Sequence, residues 1–331
     1  MIQVIATTPY TDQKMGTAGL RKKSKVVMQE HYFENFLQSI FNTIDPAGKT
    51  FVVGGDGRFY NSIAIQKLIK MAAANGVKKL IVGQNGFLST PASSNMILKR
   101  RTDGGFVLSA SHNPGGENGD FGIKFATETG GQCSSLVSDR IFAVSQTISE
   151  FKTVDAADID LSRLGMQNLE GMEIEIVDPI SDYVELMEKI FDFELIKKMF
   201  ADGFTMRFDA MNAVTGPYAI RIFEEILGAA KGSVLNAVPK PDFGGLHPDP
   251  NLVYAKELVN IMYADDAPDF GAANDGDGDR NMILGKKFFV TPSDSLAILT
   301  DNYDLIPAYK GGIYGVAKSM ATSTAVARVA S

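Results

Sequence analysis

The chain has 331 residues, 45% of them apolar and none of them tryptophan, enough for roughly two or three α/β domains with substantial cores. A net charge of −7 argues against nucleic acid as the main partner, because gripping a phosphate backbone needs a basic face. Met1 to Tyr10 carry no basic segment ahead of an apolar run, and nowhere do the roughly 18 apolar residues of a membrane span occur together, so no membrane partner and a cytoplasmic location are expected. The single cysteine, Cys133, cannot form an intramolecular disulfide and fits a reducing compartment.

Phe51 to Val53 is the first buried-strand candidate, running into Gly54-Gly-Asp-Gly-Arg58. Ile63 to Asn75 spaces its apolar residues helically and stops at Gly76, a good cap position. Leu80 to Val82 is the next strand, and Thr90-Pro91 reads as an N-cap with proline opening a helix to about Arg100. Gly105 to Ser109 is a third strand, with a glycine-rich loop around Ser111 at its carboxyl end. A polar stretch from about Ser145 to Gly171 separates this unit from a second with the same rhythm. There the expected elements are strand Met206 to Asp209, helix Tyr218 to Ile226, strand Val234-Leu235, helix Leu252 to Met262 and strand Phe270 to Ala273. A third unit is expected to begin with a helix over Ser293 to Leu299, a strand over Gly312 to Ala317 and a helix over Thr322 to Ala330. The pattern is that of tandem α/β domains, divided as 1–180, 181–290 and 291–331, with functional loops at strand carboxyl ends.

Two loops carry chemistry, one in each of the first two units. In Asn274-Asp-Gly-Asp-Gly-Asp-Arg-Asn281 three carboxylates alternate with glycines, which let the backbone turn so that Asp275, Asp277 and Asp279 converge. Two such charges about 4 Å apart repel by roughly 4 kcal/mol at an effective dielectric near 20, so the trio calls for a hard divalent cation such as Mg²⁺. An EF-hand is excluded, since its glycine and glutamate positions hold Arg280 and Lys286. A haloacid-dehalogenase-type aspartyl nucleophile, which also uses paired aspartates after a strand, stays open as an alternative but would leave Ser111 idle.

Ser111 alone would be weak evidence, since serines are common in turns. Its neighbours change that: His112 is one of three histidines, Pro114-Gly115-Gly116 tightens the loop and Lys124 returns on the following strand. A phosphoserine brings about −2 charge, leaving an excess of roughly three negative charges over one Mg²⁺. Arg21, Lys22, Lys23, Lys124 and Arg280 are the candidate cations, although Lys22 and Lys23 read equally well as a solvated surface. The two loops are expected to face each other across a cleft.

Ser109-Ala-Ser-His-Asn-Pro-Gly-Gly116, Asn118-Gly-Asp-Phe-Gly-Ile-Lys-Phe125 and Asp275-Gly-Asp-Gly-Asp-Arg280 resemble the α-D-phosphohexomutase superfamily. Gly16 to Lys23, Val53 to Tyr60, Gly83 to Gly86, Leu88 to Ala92 and Gly244 to Leu252 support the resemblance along the whole chain. It implies Ser111 as phosphoserine and metal ligand, and Asp275, Asp277 and Asp279 as Mg²⁺ ligands. It implies Arg280 beside the metal as a phosphate contact, with Arg21, His112 and Lys124 in substrate contact or acid–base help. The implied substrates are small sugar phosphates, glucose 1-phosphate and glucose 6-phosphate, with glucose 1,6-bisphosphate as intermediate and activator. Mannose or glucosamine phosphate specificity and a non-catalytic, phosphorylatable module are the alternatives. The implied fold is phosphohexomutase-like with mixed sheets. The resemblance implies four domains, of which this chain is expected to stop early in the third, before the sugar-recognition and distal phosphate loops.

Overall fold

The computed structural model describes residues 1–16 and 18–331; Thr17, inside the glycine-rich stretch Gly16 to Lys23, lies outside the described residues. In chain order the first part runs β1 (Ile2–Ala6), β2 (Leu20–Lys23), α1 (Ser24–Val27), α2 (Tyr32–Ile44), β3 (Thr50–Gly55), α3 (Asn61–Ala74), β4 (Lys79–Phe87) and α4 (Thr90–Arg100). It continues with β5 (Gly104–Leu108), β6 (Asp120–Thr127), α5 (Ser135–Ser145), β7 (Glu150–Val154), β8 (Gly165–Leu169) and β9 (Met172–Val177). Then follow α6 (Ser181–Ile190), α7 (Phe193–Ala201), β10 (Met206–Asp209), α8 (Thr215–Ala219), β11 (Val234–Leu235), α9 (Lys256–Met262), β12 (Phe270–Asn274), β13 (Asn281–Gly285), β14 (Phe288–Val290), α10 (Pro292–Asp301) and α11 (Ala325–Val329). No helix of the described residues is long and apolar enough to cross a membrane.

Seven strands form the first sheet in the order β2-β6-β5-β3-β4-β9-β8. Its centre, β5-β3-β4-β9, is parallel and its edges are antiparallel, so the sheet is mixed. The loops after β3, β4 and β5 therefore emerge at one end, where an α/β sheet binds its ligands. Helix α2 covers one face with a full stripe of buried residues, Phe33, Phe36, Leu37, Ile40 and Phe41, at helical spacing. Phe106 of β5 sits under it, in ring contact with Phe41, Phe51 and Phe125. The second sheet, β11-β10-β12-β13-β14, is parallel through its first three strands and antiparallel beyond. Strand β12 points its carboxyl end at the first sheet's loops and continues into the carboxylate turn.

Several expected elements come out differently. Ser89, not Thr90, caps α4: its hydroxyl accepts from the Ala92 N–H at 3.2 Å, and the Thr90 hydroxyl donates instead to Asp277 of the second unit. Strands β7 and β8 lie within the polar stretch 145–171, β7 pairing with β1 and β8 with β9. The helix expected over Tyr218 to Ile226 is α8 followed by a wide-turn helix, Ile220–Ile226. Helix α9 begins only at Lys256, because the Asn251 side chain accepts from Val253 and Tyr254 N–H and holds Leu252 to Tyr254 in a turn. Gly312 to Ala317 is not a strand: no other described segment pairs with it, and Tyr314, Val316 and Ala317 stay exposed. The terminal helix is shorter than expected, Ala325–Val329, and the one before it is α10, capped by Thr291.

Truncating Phe106 to alanine removes a fully buried ring with three aromatic neighbours and should cost about 3–5 kcal/mol. Urea unfolding of Phe106→Ala is expected to show a lower midpoint at unchanged slope; an unchanged midpoint would place the core elsewhere.

Candidate active site

Ser111 follows β5 with its side chain fully buried and its backbone in the left-handed region at φ 54°. A serine is uncomfortable there, so the surroundings must hold it. The Ser111 N–H donates to Ser109 Oγ at 2.8 Å, and Ser109 Oγ donates to Asp56 Oδ2 at 2.6 Å. Arg58, with a side chain wholly out of solvent, spans the loop: its Nη2 donates to the Ser111 carbonyl at 2.7 Å and its Nη1 to the Asp120 carbonyl at 2.8 Å. Its Nε donates to both Asp56 oxygens, at 3.0 and 2.9 Å, so the buried cation is paired. Arg58 and Asp56 are site residues that no local pattern around Ser111 announces; the Gly-Asp-Gly-Arg run after β3 is their only sequence signal.

The carboxylate loop meets the serine directly rather than across a gap. Ser111 Oγ donates to Asp275 Oδ2 at 2.7 Å. The other oxygen, Asp275 Oδ1, accepts from the Asp279 and Arg280 N–H groups at 3.0 and 3.1 Å and thereby closes the turn. Gly278, at φ 78°, is required here: a Cβ on it would lie 2.6 Å from Thr215 Cγ2. The result brings one oxygen each of Asp275, Asp277 and Asp279 within 4.8 Å of one another, the one such cluster among the described residues.

Three cations and a histidine surround the cluster. Lys124, on β6 opposite Val107, is 3% exposed; its Nζ donates to Asp277 Oδ2, reaches Thr90 Oγ1 at 3.3 Å and lies 3.5 Å from Asp279 Oδ2. Arg21 stands on β2, the neighbour of β6, with its Nε buried and unpartnered among the described residues. Burial, together with Arg280 and Arg58, lowers its pKa from the ordinary value, against the pull of Asp277 and Asp279. Arg280 donates to His112 Nδ1, and since guanidinium cannot accept, the ring is neutral with its proton on Nε2. Burial first, then Arg280 and Arg21, hold the His112 pKa below its usual value against Asp249. Its ring lies parallel to His247 of the second unit, centroids 6.4 Å apart. Lys22 and Lys23 stay outside this set, paired with Asp12 and Asp120 at 2.8 and 2.9 Å. Theirs is the surface reading.

The site's own electrostatics fit a hard cation. Burial, reinforced by Asp277 and Asp279, pushes the Asp275 carboxyl up to about 7. Burial also pushes Asp277 upward, but Lys124, Thr90 and Arg58 overcome it and its pKa falls below the ordinary carboxylate value. Asp277 Oδ1 is buried with no hydrogen-bond partner among the described residues. An all-oxygen cluster with one orphaned carboxylate oxygen and one carboxyl short of counter-charge is what Mg²⁺ would complete.

Family models for the phosphoglucomutase/phosphomannomutase alpha/beta/alpha domains match residues 12–152 for domain I and 181–287 for domain II. Phosphoglucomutase of Rhizobium radiobacter is 57% identical over 331 residues, all of this chain and 61% of that protein. The chloroplastic phosphoglucomutase of Brassica napus is 53% identical over 334 residues, covering 99% of this chain and 53% of that one. The crystal structure of the Paramecium exocytosis-sensitive phosphoprotein pp63/parafusin, a phosphoglucomutase in its open form, superposes with a TM-score of 0.96 at 47% identity, covering 99% of this chain and 62% of that one. The chain thus spans between about half and three fifths of the length of these relatives. With the two domain models together covering well over half of the chain, both loops included, it belongs to the phosphoglucomutase/phosphomannomutase family of the α-D-phosphohexomutase superfamily.

Proposed function

We propose that the chain carries the phosphoryl-transfer centre of a phosphoglucomutase, interconverting glucose 1-phosphate and glucose 6-phosphate through a phosphoserine at Ser111 and glucose 1,6-bisphosphate. The observation behind this reading is the 2.7 Å hydrogen bond from Ser111 Oγ to Asp275, which joins a single buried hydroxyl to the carboxylate cluster of another sheet. Relatives bearing the phosphoglucomutase name at 57% and 53% identity favour glucose over mannose or glucosamine phosphate. A non-catalytic module has no comparable support. On this reading residues 1–180 and 181–290 are the two loop-bearing domains and 291–331 open a third, in a protein of the reducing cytoplasm.

Asp275, Asp277, Asp279 and an oxygen on Ser111 would hold Mg²⁺, which when bound offsets the charge on a transferring phosphoryl group. The chain's own residues do the rest. Ser111 Oγ bonds to phosphorus as a sugar oxygen departs, and the same bond breaks when the phosphoryl group passes to the other sugar hydroxyl. Backbone strain at Ser111 and the Arg58 clamp keep that oxygen aimed, since transfer depends on in-line positioning more than on covalent help. Arg21 and Arg280 meet the phosphate oxygens, Arg21 Nε being a buried donor with no partner among the described residues. His112, neutral and fixed through Nδ1 by Arg280, offers its Nε2–H to the substrate. Lys124 holds or returns the proton of the sugar hydroxyl.

Ser111→Ala is expected to abolish phosphoryl incorporation from glucose 1,6-bisphosphate, read by intact mass; undiminished incorporation would assign the phosphoryl group to another residue. Asp277→Asn should weaken Mg²⁺ binding by at least about tenfold in a calorimetric titration, and an unaltered isotherm would count against the cluster. The raised pKa of Asp275 gives a pH dependence. Below about 7 its carboxyl is protonated and the ion must displace a proton, whereas above it two buried charges beside the exposed Asp279 destabilise the metal-free fold and favour binding. Mg²⁺ should therefore raise the melting temperature more at pH 8 than at pH 6; an equal or reversed effect would contradict the assignment.

A further inference from the structure

One hydrogen bond between Ser111 and Asp275 is a soft link for two loops borne on different sheets. A stiffer one lies behind it, in the segment Lys240–Gly245 of the second unit. The Pro241 carbonyl accepts from the Phe59 N–H at 2.8 Å and the Gly116 N–H at 3.1 Å, the first beside Arg58 and the second inside the serine loop. Phe243 is fully buried with a left-handed backbone, φ 55°, and its ring lies under the Arg58 guanidinium, 5.2 Å from ring centroid to Cζ. That guanidinium is the group holding the Ser111 carbonyl.

The carboxylate loop closes onto the same stack. A Cβ on Gly276, between Asp275 and Asp277, would lie 2.5 Å from the Ser111 carbonyl oxygen and 3.4 Å from both Arg58 Nη2 and Phe243 Cζ. A Cβ on Gly115 would fall 2.9 Å from the Phe243 ring. Serine loop, guanidinium, ring and carboxylate loop are therefore in contact with no room for one side-chain carbon. Removing the ring would let Arg58 settle into the space, and the Ser111 carbonyl would follow.

We infer that Phe243 is a positioning residue: wedged beneath Arg58 and against Gly276, it sets the register of the Ser111 hydroxyl on the carboxylates. The inference rests on the reading of Ser111 as phosphoryl acceptor. A displacement near 1 Å at a reacting atom can cost about a hundredfold in rate without touching binding. Metal affinity should change little, because three of its ligands lie on the second unit's own loop.

The experiment compares the wild-type chain with Phe243→Ala and the milder Phe243→Leu. Three quantities are measured: the rate of Ser111 phosphorylation by glucose 1,6-bisphosphate with its half-saturating concentration, Mg²⁺ affinity by calorimetry, and amide hydrogen exchange over residues 109–116. Phe243→Ala is expected to lower the saturated rate by between about tenfold and a hundredfold, with half-saturation and Mg²⁺ affinity held within about twofold. Exchange across the serine loop should quicken, and Phe243→Leu should recover part of both effects. An unchanged rate overturns the inference, as does a parallel loss of rate and Mg²⁺ affinity in both variants, which marks a merely structural ring. Should the wild type take up no phosphoryl group, the acceptor reading fails by itself. Hydrogen exchange then decides the positioning role, faster exchange in the alanine variant supporting it and unchanged exchange overturning it.

Discussion

Mutual repulsion among Asp275, Asp277 and Asp279 is the constraint around which the centre is built. At separations within 4.8 Å, each charged pair costs at least about 3.5 kcal/mol even at an effective dielectric near 20, and two of the three side chains see no solvent. Such a cluster persists only if something else satisfies it. Lys124 approaches from β6, the Thr90 hydroxyl from the start of α4, and the Ser111 hydroxyl from the end of β5. All three come from the first unit. The charge of the second unit's loop is thus met by the first unit's polar groups, and the same approach that relieves it delivers the hydroxyl to where a metal and a phosphate would sit.

That arrangement follows from the parallel order of the first sheet. Strands β3, β4 and β5 point the same way, so Asp56 and Arg58, Ser89 and Thr90, and Ser111 appear side by side although they are separated by tens of residues. The antiparallel turn into β6 carries Lys124 back beneath them, and β2 adds Arg21 beside it. In the second sheet β12 ends in the carboxylate turn and the segment near Phe243 packs under Arg58, so the two units meet at their ligand-binding ends.

Much of this was legible in the chain because it is locally encoded. Alternating aspartate and glycine can only be a tight acidic turn, and a serine between a strand and Pro114-Gly115-Gly116 can only be a loop at a strand end. Helix α2 is equally legible, since Phe33, Phe36, Leu37, Ile40 and Phe41 repeat at helical spacing, yet it carries no chemistry and no motif marks it. The Gly-Asp-Gly-Arg run marks Arg58 in the sequence, but its role is not legible there. Its importance comes from partners up to 62 positions away, and only the folded sheet brings the carbonyls of Ser111 and Asp120 to one guanidinium. Thr90 misled for the same reason: as a sequence Thr-Pro is a cap, but a carboxylate from the second unit claims its hydroxyl and Ser89 takes over. Gly312 to Ala317 has a strand's composition without a strand beside it, and composition alone makes no ladder.

The claim that two loops from two sheets form one centre can be tested at the atom they share. With Mn²⁺ in place of Mg²⁺ and the chain phosphorylated by glucose 1,6-bisphosphate, electron–nuclear double resonance reads the coupling between the ion and phosphorus. Strong ³¹P coupling, lost in Ser111→Ala, is predicted, because on this account the phosphate on Ser111 and the three carboxylates would surround the same ion. A bound Mn²⁺ without phosphorus coupling in the phosphorylated chain would mean that serine and carboxylates serve separate ends, and would contradict the account.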